Sequence, residues 1–314
     1  MTFKALLFKN SFLIIISILF LTSCSLREKE EKKRPIPSTD LPTITIGAKS
    51  LTEQYILMTM TSILLRDRGY SVNEIRFLDS PAIRSAIEEQ VIDLYWEYTN
   101  TARMYYHKYP PIYDPYEAFD TVKKEDERKN IIWLENSHFN SSWGIMVKKG
   151  LAKQHQLKTV SDLIEYMKKS NHQLKFATNE EFLIREDGLN HLEKVYEFTL
   201  SENQLLAIES DLLTLAVREE RVDVSIGMVS DSRISEYGLL LLEDDQKAFP
   251  PYNAAPVVTK KIIENYPDIQ SILVKLSKSI THQEMIQLNY QVDVLHIEET
   301  KVAKVFLEEK GLIN

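Results

Sequence analysis

From Thr43 onward, apolar residues change their spacing in a regular alternation. Thr43 to Gly47 is a short β-branched run, and Ser50-Leu51-Thr52-Glu53 then has the form of a capping box before an apolar-periodic helix reaching about Arg68, ahead of Gly69. Ser71 to Leu78 alternates with period two, Ser80 and Pro81 open another helix, and Val91-Ile92-Asp93-Leu94 reads as a short buried strand. This βαβ order predicts an α/β fold whose sheet is mostly parallel, with helices on both faces and ligands at the carboxyl ends of the strands.

The same pattern continues through the chain. Ile131 to Leu134 and Trp143 to Val147 read as strands, Thr159 to Met167 as a helix, and Leu239 to Leu242 and the run closing at Val257-Val258 as further strands. Thr281 with Glu284 caps a late helix, and a last one ends at Gly311. A weak internal echo joins two distant segments. Ala86-Ile87-Glu88-Glu89-Gln90-Val91-Ile92-Asp93-Leu94 is matched by Ala216-Val217-Arg218-Glu219-Glu220-Arg221-Val222-Asp223-Val224, each a helix end, a polar turn and a strand with an acid in its middle. Either these are equivalent parts of two similar lobes, which makes Tyr98 and Met228 equivalent, or they are ordinary helix-turn-strand units. Crossings near Trp143 and Tyr252 predict two lobes on a two-strand hinge that closes over a ligand.

The first residues have a different character. Lys4 and Lys9 precede an apolar stretch, Phe12 to Leu21, too short to span a membrane and suited to an export signal. Leu21-Thr22-Ser23-Cys24 follows, ending in the one cysteine of the chain, and resembles a bacterial lipoprotein lipobox. That resemblance implies cleavage before Cys24, a lipid on its sulfur and a protein tethered to the outer face of the cytoplasmic membrane. Ser25 to Leu41 is rich in charge and then proline, with almost nothing to bury, and reads as a tether. Loss of Lys4 and Lys9 takes the net charge from -8 to -10, so the exported chain is acidic and holds no basic stripe for nucleic acid. The expected division is 1–23 signal, 24–42 linker, 43–144 with 253–314 lobe one, and 145–252 lobe two.

Composition argues against catalysis. The seven histidines form no His-x-x-x-His pattern and have no cysteine partner, so no metal site and no Cys-His nucleophile is indicated. No Gly-x-Ser-x-Gly elbow or phosphate loop occurs, and the chain has only 8 glycines. No cofactor is expected.

Several separated motifs carry a family resemblance: Ile44-Thr45-Ile46-Gly47-Ala48-Lys49-Ser50-Leu51-Thr52-Glu53-Gln54, Glu97-Tyr98-Thr99, Phe182 to Leu189, Phe249-Pro250-Pro251-Tyr252 and Leu288 to Asp293. In this order the chain resembles the substrate-binding lipoproteins of osmoprotectant ABC transporters, which bind glycine betaine, carnitine or choline. The resemblance implies a type II periplasmic-binding-protein fold that delivers a quaternary ammonium ligand to an ABC permease. A trimethylammonium group has no N–H to donate, so it is held by aromatic faces at about 0.5–2 kcal/mol per ring. The resemblance places the family's cage at Tyr98, Trp143, Met228 and Tyr252, and its carboxylate-binding arginine at Arg185.

This chain departs from the family at two cage positions. Trp143 keeps a π face, whereas Met228 offers a polarizable thioether without one. Asn100 stands where glycine usually follows Tyr-Thr. Each site residue also has a structural alternative: packing for Tyr98, Tyr252 and Trp143, a surface salt bridge for Arg185, and capping or solvent exposure for Gln54, whose amide otherwise reaches the cleft. By alternation at most one of Tyr95 and Trp96 shares the face of Tyr98. The tyrosine-rich stretch Tyr105 to Tyr116 reads as packing for a proline-rich connection, and Phe182 to Asp187 as a loop. The other functional reading is a two-lobed lipoprotein that binds a different small polar ligand, for transport or sensing.

Overall fold

The computed structural model describes residues 41–77, 79–170 and 174–314. The export signal, the lipobox at Cys24 and the linker up to residue 40 lie outside the described residues.

Two five-stranded mixed sheets make up the body, one per lobe. The first contains β1 (Thr43–Lys49), β2 (Ser71–Phe77), β3 (Leu94–Tyr98), β4 (Ile131–Trp133) and β10 (Ala254–Thr259). The second contains β5 (Trp143–Lys148), β6 (Phe176–Thr178), β7 (Leu205–Ala207), β8 (Val224–Met228) and β9 (Leu239–Leu241). Their orders, β2-β1-β3-β10-β4 and β7-β6-β8-β5-β9, are the same topology written twice. In each, three parallel strands are followed by an antiparallel strand that arrives from the other lobe, β10 on β3 and β5 on β8.

The internal echo is therefore structural. Asp93 accepts the Thr45 amide at 2.8 Å through its carboxylate while its own amide donates to the Thr45 carbonyl. Asp223 does both with Lys175, the first bond again at 2.8 Å. Gln90 and Glu220 occupy matching left-handed turns, each at φ 59°. The strand entered this way begins at Leu94, later than the sequence pattern suggests, because Val91 belongs to that turn and is exposed.

The chain crosses between lobes twice, and the crossings are hydrogen-bonded to each other. Asn140 and Asn253 form an antiparallel bridge, and the Ser141 amide donates to the Tyr252 carbonyl at 3.0 Å. Asn100, departing from glycine, is fully buried and donates from Nδ2 to the Pro251 carbonyl at 2.7 Å and the Ile112 carbonyl at 3.0 Å. It thereby pins the end of β3 to the second crossing.

Helices α1 (Thr52–Asp67) and α2 (Ser80–Glu88) follow β1 and β2 in lobe one, and α3 (Glu180–Ile184) and α4 (Leu213–Arg218) occupy lobe two. Helix α5 (His282–Asp293) carries the expected capping box, with the Thr281 hydroxyl accepting from the Glu284 amide and Glu284 returning the bond. The expected box on α1 does not form: Leu51 is the cap residue and Glu53 turns inward. Phe182 to Asp187 is not a plain loop either. It begins within α3, and Phe182, Arg185 and Asp187 are all buried. Among the described residues no helix is long and apolar enough to cross a membrane.

Gly188 closes this segment tightly. A Cβ there would lie 1.9 Å from the Phe182 carbonyl oxygen, a backbone atom with no rotamer to move. Gly188→Ala is expected to cost at least about 2 kcal/mol, a fall in Tm of roughly 4–8 °C by calorimetry. Gly150→Ala, whose added Cβ meets nothing within 4 Å, should leave Tm within roughly 1 °C or raise it slightly. Equal effects at the two positions would refute the steric account.

Candidate functional site

A cavity of about 360 Å³ lies in the cleft between the lobes. Lobe one supplies Lys49, at the end of β1, together with Tyr98, at the end of β3, and Tyr105; Trp143, Arg185 and Met228 face them from lobe two. The carboxyl ends of parallel strands carry Lys49, Tyr98 and Met228 here for the reason the fold predicts: side chains and loops there have no following strand to cover them. Trp143 and Met228 are direct cross-strand partners, so their side chains stand together on one face of the second sheet.

Tyr98 is held by a buried acid. Its hydroxyl donates to Glu53 Oε1 at 2.5 Å, Ser141 Oγ donates to the same oxygen at 2.5 Å, and Ser230 Oγ donates to Oε2 at 2.5 Å. The three donors come from lobe one, the first crossing and lobe two. Burial pushes the Glu53 carboxyl above its ordinary value, and the hydroxyls only partly offset this.

Lys49 is a second buried charge on the cavity wall. Its Nζ lies 2.5 Å from Glu97 Oε1 and 5.1 Å from the centre of the Tyr98 ring. Glu97 also accepts the Tyr98 amide at 2.7 Å and the Tyr106 hydroxyl at 2.8 Å. Glu97 itself is fully buried. Sequence reading did not single out Lys49 or Glu97, although both stand inside the quoted motifs.

Arg185 reaches the cavity, but its guanidinium is already engaged. Nε and Nη2 donate to the two oxygens of Asp187 at 2.8 and 2.5 Å, and Nη1 donates to Glu181 at 2.7 Å. It is also only 1% exposed, so the surface salt bridge is replaced by a buried one. Burial opposes its charge, but these carboxylates hold its pKa well above the usual arginine value. Its guanidinium carbon sits 4.7 Å from the centre of the Tyr105 ring. Tyr105 is thus part of the wall and not mere packing for the proline-rich connection.

Two expected site residues stand off the lining. Tyr252 is buried with its hydroxyl donating to Asp187 Oδ2 at 3.1 Å, so it supports the Arg185 network from behind. Gln54 is buried and lines neither cleft cavity, which excludes solvent exposure, and the first helix has no side-chain cap. Of the pair flanking the motif, Trp96 packs in the same core cluster as Tyr98, and Tyr95 packs in the other.

Because burial raises the Glu53 pKa, the folded protein holds that proton at pH values where the unfolded chain has released it. The carboxyl therefore favours folding below its ordinary value of 4.5, and this contribution is lost as pH rises through the raised folded value. Glu53→Gln removes the titration. The difference in Tm, variant minus parent, is expected to increase from about pH 4 to pH 8. A difference independent of pH would count against the raised pKa of this buried acid.

Residues 42–309 match the family described as the substrate binding domain of ABC-type glycine betaine transport system. The chain is 30% identical over 279 residues to the glycine-betaine-binding protein of Pseudomonas aeruginosa, covering 87% of this chain and 89% of that one. It is 31% identical over 306 residues to the carnitine transport binding protein OpuCC of Listeria monocytogenes, covering 96% of this chain and 95% of that one. A solved structure described as a glycine betaine/carnitine/choline ABC transporter superposes with a TM-score of 0.70 at 27% identity, covering 86% of this chain and all of the other. The two repeated sheets, the paired crossings and the match over residues 42–309 make this chain a member of the substrate-binding proteins of glycine betaine-type ABC transporters, a binding protein and not an enzyme.

Proposed function

We propose that this protein captures a quaternary ammonium osmoprotectant, of the glycine betaine, carnitine and choline class, outside the cytoplasmic membrane and delivers it to an ABC permease. The observation that carries the reading is the presence of Tyr98 and Trp143, one ring from each lobe, on a single cavity of about 360 Å³. A permanent cation without N–H groups gains from π faces and from exclusion of water, and it gains from both only when the lobes enclose it. Met228 completes the wall between them with a polarizable thioether. Tyr105 adds a further ring, and the names of the relatives from Pseudomonas aeruginosa and Listeria monocytogenes point to the same ligand class. A lipid on Cys24, with the charged and proline-rich linker as a tether, keeps the protein at the outer face of the membrane.

Titration with glycine betaine, carnitine and choline, followed by calorimetry and tryptophan emission, is expected to give saturable binding of at least one. Trp143→Ala and Tyr98→Ala should each weaken that ligand by roughly 5- to 30-fold, since each removes about 1–2 kcal/mol of cation–π attraction. Tyr98→Phe keeps the ring and should retain most of the affinity, and Met228→Tyr should tighten binding. Flat titrations with all three compounds would overturn the reading. Cys24→Ser should move the chain from the membrane fraction to the soluble fraction; retention on the membrane would count against the lipid anchor.

A further inference from the structure

The cleft contains a second chamber. It measures about 270 Å³ and shares Ser50, Leu51, Trp143, Glu209, Ser210 and Met228 with the first cavity. Beyond that common wall its chemistry changes. Asp211 enters from lobe two and Asp293 from lobe one, beside Glu209 on the common wall, and none of the three has an ion-pair partner among the described residues. The cation on this lining, Arg233, is already used. Its Nε and Nη2 bind Asp231 at 2.8 and 3.0 Å, and Nη1 donates to the Asp211 carbonyl at 2.6 Å.

Donors are scarce there and acceptors are not. The Thr52 hydroxyl donates to Asp293 at 2.7 Å, and the Ser230 hydroxyl is taken by Glu53. Asn289, also on the lining, is only 3% exposed. Its Nδ2 donates to the Ser230 carbonyl at 3.1 Å, while its Oδ1 has no hydrogen-bond partner. A buried acceptor left in this state is destabilising, and a donor arriving with a ligand would relieve it. The carboxylates form no metal-binding group among the described residues. What the chamber lacks is a positively charged N–H donor.

We propose that this chamber is a second subsite, which takes the N–H-bearing cationic end of an elongated ligand whose quaternary ammonium end sits against Trp143 and Tyr98. The inference rests on the quaternary ammonium reading of the first cavity. The wall shared by the two cavities fits it: an indole and a thioether offer an apolar track for methylene groups between the charged ends. The methionine matters here because it is narrow and flexible where a fixed tyrosine ring would partition the cleft. Asp293 is half-buried, and it meets the incoming charge with less screening than the exposed Glu209 and Asp211.

A matched pair of probes tests this in the full-length protein by calorimetry: hexyltrimethylammonium and (6-aminohexyl)trimethylammonium, equal in length and different only in the terminal ammonium. The amine is expected to bind at least about tenfold tighter than the alkyl compound, whose methyl end meets the acids without a donor. In Asp211→Asn/Asp293→Asn that ratio should fall to about twofold or less. A variant that merely perturbs the fold weakens both probes by one factor and leaves the ratio, so a retained ratio overturns the subsite. Equal affinities in the parent protein overturn it too. Binding of glycine betaine or choline with no gain from the amine would refute the second chamber alone, whereas no binding by any quaternary compound would remove the cage and the chamber together.

Discussion

The arrangement of the cleft depends on one buried carboxylate. Glu53 sits in the first turn of α1, and its oxygens collect hydroxyls from Tyr98, Ser141 and Ser230. An unpaired buried carboxylate would cost several kcal/mol, so the hydroxyls converge on it or the group takes up a proton. Because the donors belong to three different parts of the chain, satisfying this acid sets the position of a cleft-lining ring, of the first crossing and of the lobe-two loop at once. Asn289 on α5 extends the same node through the Ser230 carbonyl.

Two tyrosines behind the lining follow the same rule. Tyr106 donates to Glu97 and Tyr252 to Asp187, and those acids are in turn paired with Lys49 and Arg185. Removing Arg185 would leave the buried Asp187 without its counter-charge, so its loss should be felt in folding as well as in recognition. Fixing a phenol by its hydroxyl also sets the angle at which its face meets a ligand, before any ligand arrives. A cation with no hydrogen-bonding group cannot orient loose rings, so preorganised rings are what its recognition requires.

Much of the fold was legible because local chemistry and periodicity agreed. The echo around Asp93 and Asp223 was readable because each acid has a backbone task at the entrance to a parallel strand, a task that constrains residue type and spacing. Trp143, Tyr98 and Met228 were placeable for the related reason that strand ends open onto the cleft. Glu53 was misread because Ser50 and Glu53 have the spacing of a capping box, and a local motif cannot reveal that hydroxyls distant in sequence outcompete the local bond. The buried ion pairs of Arg185 and the position of Tyr252 behind the lining were hidden in the same way. Their motif told where the chain lies, and only the tertiary partner Asp187 determines what the side chains do. Tyr105 was hidden in a run of aromatics that differ in surroundings and not in sequence.

The repeat also explains how the two lobes share the cleft. Five residues past each strand-entry acid stand Tyr98 and Met228, and their cross-strand partners are Ala254 and Trp143. Lobe one thus carries its ring on the parallel strand and a methyl group on the antiparallel one, while lobe two carries its ring on the antiparallel strand and a thioether on the parallel one. Were both rings on equivalent strands, each sheet would need the same clearance from its partner, and the cleft would close as a symmetric stack. With the large residue moved to the other strand in lobe two, both rings line one cavity, and Met228 lies on the wall common to the two cavities. A duplicated topology thus gives the cleft two different walls, because the large and small residues exchange strands between its copies.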